Sequence, residues 1–192
     1  MKTYAVIGAC IVIIVVAALL NRKRVMTNLK KNQLSKNFNL LEFVKTSTGI
    51  ENVPGETEIR NLELLCQKIL QPLRDAVGKP ITITSGYRSP LVNSNVKGSS
   101  KTSQHMKGQA ADFMIEGMTN QEIIDLVRKL KLPYDQIIDE QLWKWSPVSG
   151  WRLAKWVHVS YNLSETRFQW LTARNSQEKT DTIYTTIKNG LA

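Results

Sequence analysis

Hydrophobic positions recur along this chain in three rhythms, and each predicts a different element. The first is a solid block. Tyr4 to Leu20, YAVIGACIVIIVVAALL, carries no charged residue. As a helix it would be about 26 Å long at ~1.5 Å per residue, just enough to cross a ~30 Å hydrocarbon core. It predicts an N-terminal transmembrane anchor over residues 1–24. A cleaved signal peptide fits less well, because no A-x-A site precedes the charges and the run is long for an h-region. Ile7-Gly8-Ala9-Cys10 loosely resembles a lipoprotein processing box, but little apolar sequence precedes it.

The second rhythm has steps of three and four. Ile59, Leu62, Cys66, Ile69, Leu70, Leu73 and Val77 predict one long amphipathic helix. Gly78 and Pro80 stop it, and Pro72 predicts a kink inside it. Asn39 predicts a cap for a short helix through LLEFVK. Thr119 and Glu122 predict a capping box for a helix through EIIDLVRKL that Pro133 ends.

The third rhythm is alternation. Ile81–Thr84, Asp112–Ile115, Gln136–Ile138 and Trp156–Ser160 read as strands. SGYRSP reads as a turn, Leu91 to Thr102 as a polar loop, and Gln141 to Lys155 as a Trp-rich, loop-like insert. The segment from Ser164 to Leu191 has the makings of a hairpin, with Asn189-Gly190 near its end. These elements predict an α+β fold, a small antiparallel sheet with flanking helices. The expected organisation is an anchor (1–24), a basic juxtamembrane linker (25–37), a globular domain (38–175) and a C-terminal tail (176–192).

Composition narrows the class. Hydrophobic residues make up 42% of the 192, too few for a polytopic membrane protein. A net charge of +10, from 26 basic and 16 acidic residues, favours anionic surfaces: nucleic acid, anionic lipid or an acidic cell wall. Arg22, Lys23, Arg24, Lys30 and Lys31 follow the apolar block and only Lys2 precedes it. The positive-inside rule therefore places the domain on the cytoplasmic side. No nucleic-acid recognition motif accompanies the charge. Cys10 and Cys66 lie in apolar contexts and read as buried thiols rather than a disulfide framework.

The candidate chemistry sits in a chain with only two histidines. His105 lies in SQHMKGQAAD, seven positions before Asp112, and His158 lies in WVHVSY. Alternation puts Trp156, His158 and Ser160 on one strand face and Val157 and Val159 on the other, so one face is core and the other is site. His, Asp and His suit Zn²⁺, and three protein ligands with one open position is the catalytic pattern. Gly108, Ala110 and Ala111 leave room for close backbone approach around a metal. On composition and spacing alone, ordinary polar or core roles for both histidines stay open.

SGYRSP, S-x-H-x-x-G-x-A-x-D and WVHVS, in this order, resemble the zinc peptidases of the hedgehog/DD-peptidase fold. These are the zinc D-Ala-D-Ala carboxypeptidases and the endolysin L-alanyl-D-glutamate peptidases. FNLLEF, LQPLR and YDQIIDE are similar to the short phage and bacterial branch, and the likeness runs from about Phe38 to Arg174. It implies one Zn²⁺ held by His105, Asp112 and His158, and Arg88 pairing with a substrate carboxylate. It also implies a site-lining Ser103 that helps hold substrate, and a supporting or structural Gln136.

The general base departs from the better-known pattern. Many relatives carry Glu or Asp three positions before the last His, and here that position is Lys155. A protonated ammonium cannot accept the water's proton. Glu140 is the expected replacement, with Asp139 as backup on the opposite face. Trp156 is expected to wall the cleft and bind substrate, and Trp143 and Trp145 to form a small hydrophobic core under a loop. The expected function is a zinc-dependent cell-wall peptidase that hydrolyses peptidoglycan stem peptides and is anchored in a bacterial inner membrane or a phage virion membrane. A phage lytic enzyme exposed only during entry or lysis would escape the orientation conflict. The alternatives are a catalytically inactive zinc-binding structural protein, favoured by Lys155, and a nucleic-acid binder suggested by charge alone.

Overall fold

The computed structural model describes residues 33–164, 166–179 and 181–188. The apolar block Tyr4–Leu20, Cys10 and the Asn189-Gly190 pair lie outside them. Among the described residues no helix is long and apolar enough to cross a membrane.

Two small strands, β1 (Gln33–Ser35) and β2 (Phe38–Asn39), open the described chain. Leu34 of β1 is already buried in the main core, so ordered packing starts inside the stretch read as linker. Helix α1 (Leu40–Phe43) begins where Asn39 accepts the Leu41 N–H and Glu42 returns a bond to the Asn39 N–H. The long amphipathic helix is built in three pieces. Helix α2 (Glu56–Leu65) runs into a π-helical segment (Cys66–Leu70) and continues as α3 (Gln71–Val77). The π segment answers the kink expected at Pro72. Proline has no N–H for the helical ladder and its ring crowds the carbonyl four residues back. The preceding turn widens, and the Gln71 N–H reaches the Cys66 carbonyl. Leu62, Leu65, Cys66, Ile69, Leu70 and Leu73 are fully buried. At ~1.5–3 kcal/mol per large apolar side chain, this stripe is a leading stabilising feature. Gly78 ends α3 in the left-handed conformation, as a C-terminal glycine should.

The six-stranded sheet has the order β3-β4-β6-β5-β7-β8. Its strands are β3 (Ile81–Ser85), β4 (Ala110–Ile115), β5 (Gln136–Ser146), β6 (Gly150–Ser160), β7 (Gln169–Arg174) and β8 (Ile183–Lys188). Helix α4 (Pro90–Ser94) and a 3-10 turn (Gln104–Lys107) lie between β3 and β4. Helix α5 (Asn120–Lys129) starts with the expected Thr119–Glu122 capping box.

Three expectations change. The sheet is mixed, because β7 pairs with β5 in parallel. β6 ends where β5 begins, so residues 161–168 need only cross that end to start β7 on the far side of β5. Gln141 to Lys155 is no loop. It forms the outer halves of β5 and β6, paired from Gln141↔Lys155 to Ser146↔Gly150 around a tight SPVSG turn. The run alternates and is rich in Trp and Leu, which suits a pleated ladder. Leu91–Ser94 belongs to α4, which the Ser89 hydroxyl caps by accepting the Val92 N–H. The tail hairpin is present as expected: β7 and β8 pair antiparallel, joined between Arg174 and Ile183.

Alternation then divides the sheet. Ile81, Phe113, Ile115, Val157, Val159 and Ile137 pack with α2, α3 and α5 in the main core. Asp112, His158 and Glu140 lie on the other face, which is left for the site.

Candidate metal centre and its cleft

Strand pairing brings the first two site residues together. Asp112 of β4 sits directly opposite His158 of β6. Ile138 of β5 faces His158 from the other side, and Glu140 faces Trp156. Glu140 is therefore the diagonal neighbour of His158 on the same face, a spacing of roughly 7–8 Å between backbones.

His105 arrives from the 3-10 turn. The Ser103 hydroxyl accepts the His105 N–H, and the His105 carbonyl accepts the Arg88 N–H. Gly108 ends the turn at φ +66, and a Cβ there would lie 2.3 Å from the Glu58 carbonyl oxygen. The close approach expected at Gly108 is thus to the backbone of α2, not to a metal. Ala110 and Ala111 are fully buried in β4.

The His105 Nδ1 is 2.6 Å from the Gly86 carbonyl oxygen, so Nδ1–H donates and Nε2 faces inward as a free base. His105 Nε2 is 3.2 Å from His158 Nδ1 and 3.2 Å from Asp112 Oδ1, and His158 Nδ1 is 2.9 Å from the same oxygen. A tetrahedral ion with bonds of ~2.0–2.1 Å has ligand–ligand edges of about 3.3–3.4 Å. The three donor atoms therefore converge at nearly the spacing such an ion needs, and all three residues are buried. Protonation also fits. Burial holds the His105 pKa below its ordinary value, against the opposing pull of Asp112. Burial works against the Asp112 charge, but hydrogen bonds and attraction from both imidazoles hold its pKa well below the usual range. A neutral imidazole and an ionised carboxylate are the forms that bind a metal.

Arg88 reaches the site by donating from Nη2 to Asp112 Oδ2 at 2.8 Å and from Nε to Ser85 Oγ at 3.0 Å. It is largely buried and so no surface ion pair. Part of its fork orients the carboxylate between the histidines, and its remaining surface lines the cleft. The Glu140 carboxyl is buried in the same cleft. Burial first, and the Asp112 charge second, push its pKa from 4.5 to about 7.

Asp139, on the other face as expected, is spoken for. It accepts from Asn120 Nδ2 at 2.6 Å and pairs with Arg174. Alternation puts Lys155 on the strand face opposite His158, though it still borders the cleft. Gln136 bonds Ser160 and Gln169 and is structural in its contacts, though it borders the cleft. Trp156 lines the cleft with Lys144 Nζ 4.5 Å from its ring centroid, a cation–π contact. No mini-core forms from Trp143 and Trp145. Trp145 pairs across strands with Trp151 near the hairpin tip and is exposed.

Three contributors escape a sequence reading. Asn52, in a loop, is buried and donates to the Val44 and Tyr87 carbonyls while accepting the Ser89 N–H, which fixes the SGYRSP turn. Gly86 lies against Phe43, where a Cβ would meet backbone at 2.6 Å. Tyr184 of β8 borders the open cleft of about 1380 Å³. Burial, and then the charges of Glu140 and Asp112, raise its phenol pKa. Asn in a GIENVPG loop is a weak sign of buried hydrogen bonding, and only long-range pairing brings Tyr184 here.

The fold and this donor set define a metal-dependent hydrolase type of centre. The Peptidase M15 family profile matches residues 33–138, more than half of the chain, and the chain belongs to that family. Over 45 residues it is 57% identical to the zinc D-Ala-D-Ala carboxypeptidase of Streptomyces albus G. That stretch is 23% of this chain and 17% of the relative, so well under two thirds of the relative's length is matched. Zinc is the metal in that relative's name, and the donor set of His105, Asp112 and His158 fits such an ion. The family match holds His105 and Asp112 and stops before Glu140 and His158. Those two join the site through geometry.

Proposed function

We propose that the protein is a zinc peptidase that hydrolyses peptidoglycan stem peptides, either trimming terminal D-Ala or cutting an internal bond. The convergence of His105, Asp112 and His158 in an open cleft beside the buried carboxyl of Glu140 carries this reading. His105, Asp112 and His158 would hold the zinc, which would supply Lewis-acid polarisation of the scissile carbonyl and acidify a water in the cleft. Glu140 takes the proton from the attacking water and returns it to the leaving amine, a task suited to a group poised near neutrality. Arg88 keeps Asp112 in its ligating orientation and offers its free edge to a stem-peptide carboxylate. Trp156 supplies one wall, and Ser103 contributes beside its cap to His105.

The apolar block Tyr4–Leu20 supports placing the enzyme at a membrane, and a peptidoglycan substrate requires its domain on the wall side. A phage or virion setting is one way to reconcile that with the basic residues after the block.

Zinc-loaded protein incubated with purified peptidoglycan should release products identifiable by mass. Free D-Ala would identify a carboxypeptidase, and shortened or separated stems an endopeptidase. No product from any peptidoglycan chemotype would overturn the reading and favour a zinc-binding structural protein.

A further inference from the structure

The cleft floor continues past Glu140 onto the C-terminal hairpin. Strand pairing sets Glu140 of β5 beside Ala173 of β7, and Ala173 beside Tyr184 of β8. The three share the cleft face, where Ile138, Leu171 and Ala173 pack together with Leu142. Ala173 faces the cleft yet is fully buried, so its larger neighbours close over it. Two strand spacings of ~4.8 Å separate the backbones of Glu140 and Tyr184. A phenol is long enough to lean across the alanine between them, and a bulkier residue at position 173 would hold the ring off.

The charges acting on the phenol show which way it leans. They are those of Glu140, Asp112 and Arg88, all at the centre. Tyr184 is 53% exposed, and among the described residues its hydroxyl has no hydrogen-bond partner. Thr182 and Thr186 also border the cleft, but a threonine hydroxyl, one bond beyond Cβ, stays above its own strand. Between Glu140 and β8 the floor is apolar, made of Ile138, Leu171 and Ala173. A peptide chain crossing such a floor gives up water from its backbone groups and needs a polar partner there. We propose that Tyr184 contacts the substrate, its hydroxyl hydrogen-bonding a backbone peptide group where the chain passes Glu140, on the flank opposite Arg88. This rests on the peptidase reading and adds a second attachment point to it. Arg88 takes a carboxylate at the β3 end of the cleft and Tyr184 holds the chain at the β8 end, so the bond between them is presented to Glu140.

The test uses zinc-loaded full-length protein and disaccharide-pentapeptides released from peptidoglycan by a muramidase. Tyr184→Phe removes only the hydroxyl. KM should rise roughly 3–10-fold with kcat unchanged, the signature of one lost hydrogen bond made equally in the ground and transition states. The dissociation constant of the same probe, read by calorimetry in a Glu140→Gln background, should rise by the same factor when Tyr184→Phe is added. Tm and zinc content should stay as in the wild type, and Thr185→Val, on the opposite face of β8, should change neither KM nor affinity. Hydrolysis with unchanged KM and affinity in Tyr184→Phe would overturn the proposal alone. A loss of affinity matched by a fall in Tm, or reproduced by Thr185→Val, would also overturn it by making the role structural. A wild type that hydrolyses no probe and no peptidoglycan would overturn the peptidase reading and the proposal with it.

Discussion

Glu140 is a carboxyl held where a carboxylate is costly. Its folded pKa, about 7, exceeds its ordinary 4.5, so between those values the folded protein binds more protons than the unfolded chain. Stability of the metal-free protein therefore falls as pH rises from about 4.5 to 7, by up to about 3 kcal/mol. Glu140→Gln removes the charge and keeps the shape. It should raise the Tm of metal-free protein at pH 8, measured by calorimetry, while abolishing hydrolysis. A Tm that drops instead would mean the carboxylate is stabilised by partners the cleft does not show. Asp135 behaves oppositely. Burial opposes its charge, but bonds from Arg167 and Gln104 outweigh that and lower its pKa. Its contribution is present above the unfolded pKa of ~3.9 and is lost as pH falls through the lower folded value. Asp135→Asn should cost stability at pH 7 and flatten the acid limb of the Tm–pH curve below about pH 4. An unchanged acid limb would contradict this.

At the scale of elements, the centre depends on close backbone contacts. Gly86 presents its carbonyl to His105 while Phe43 lies against its Cα. Gly86→Ala should cost about 1–3 kcal/mol through overpacking and weaken zinc affinity, because the turn that fixes the His105 tautomer must move. Retained Tm and retained affinity would show that the turn has slack. Helix caps and the His–Asp–His order were legible in the sequence, because each is a local pattern with a chemical reason. The hairpin was not, since its ladder depends on SPVSG closing two short runs, and Pro147, Ser149 and Gly150 between them read as loop. The parallel β5–β7 pair was not either, because only the crossing of residues 161–168 over the end of β5 decides it. Asn52, Gly86 and Tyr184 belong with these, as each acts through a partner distant in sequence.

Across the whole molecule, one sheet separates two jobs. Its helix-covered face supplies the core that fixes strand register, and that register sets Asp112 opposite His158 and Glu140 one diagonal away. A metal bound only by the folded state adds its binding energy to stability, about 4 kcal/mol at a thousandfold excess over Kd. Chelation should then lower the Tm by roughly 8–16 °C. The loss should vanish in His158→Ala, and a chelator with no effect on wild-type protein would contradict a folded-state zinc site.

The most direct test of the central claim measures bound zinc and peptidoglycan hydrolysis together, in wild type and Glu140→Gln. Both proteins should carry one zinc per chain. The wild type should hydrolyse peptidoglycan, and the variant should lose about 10²–10⁴-fold or more, the usual worth of a general base. Full activity in Glu140→Gln would remove Glu140 from the mechanism, and absence of zinc from the wild type would remove the site itself.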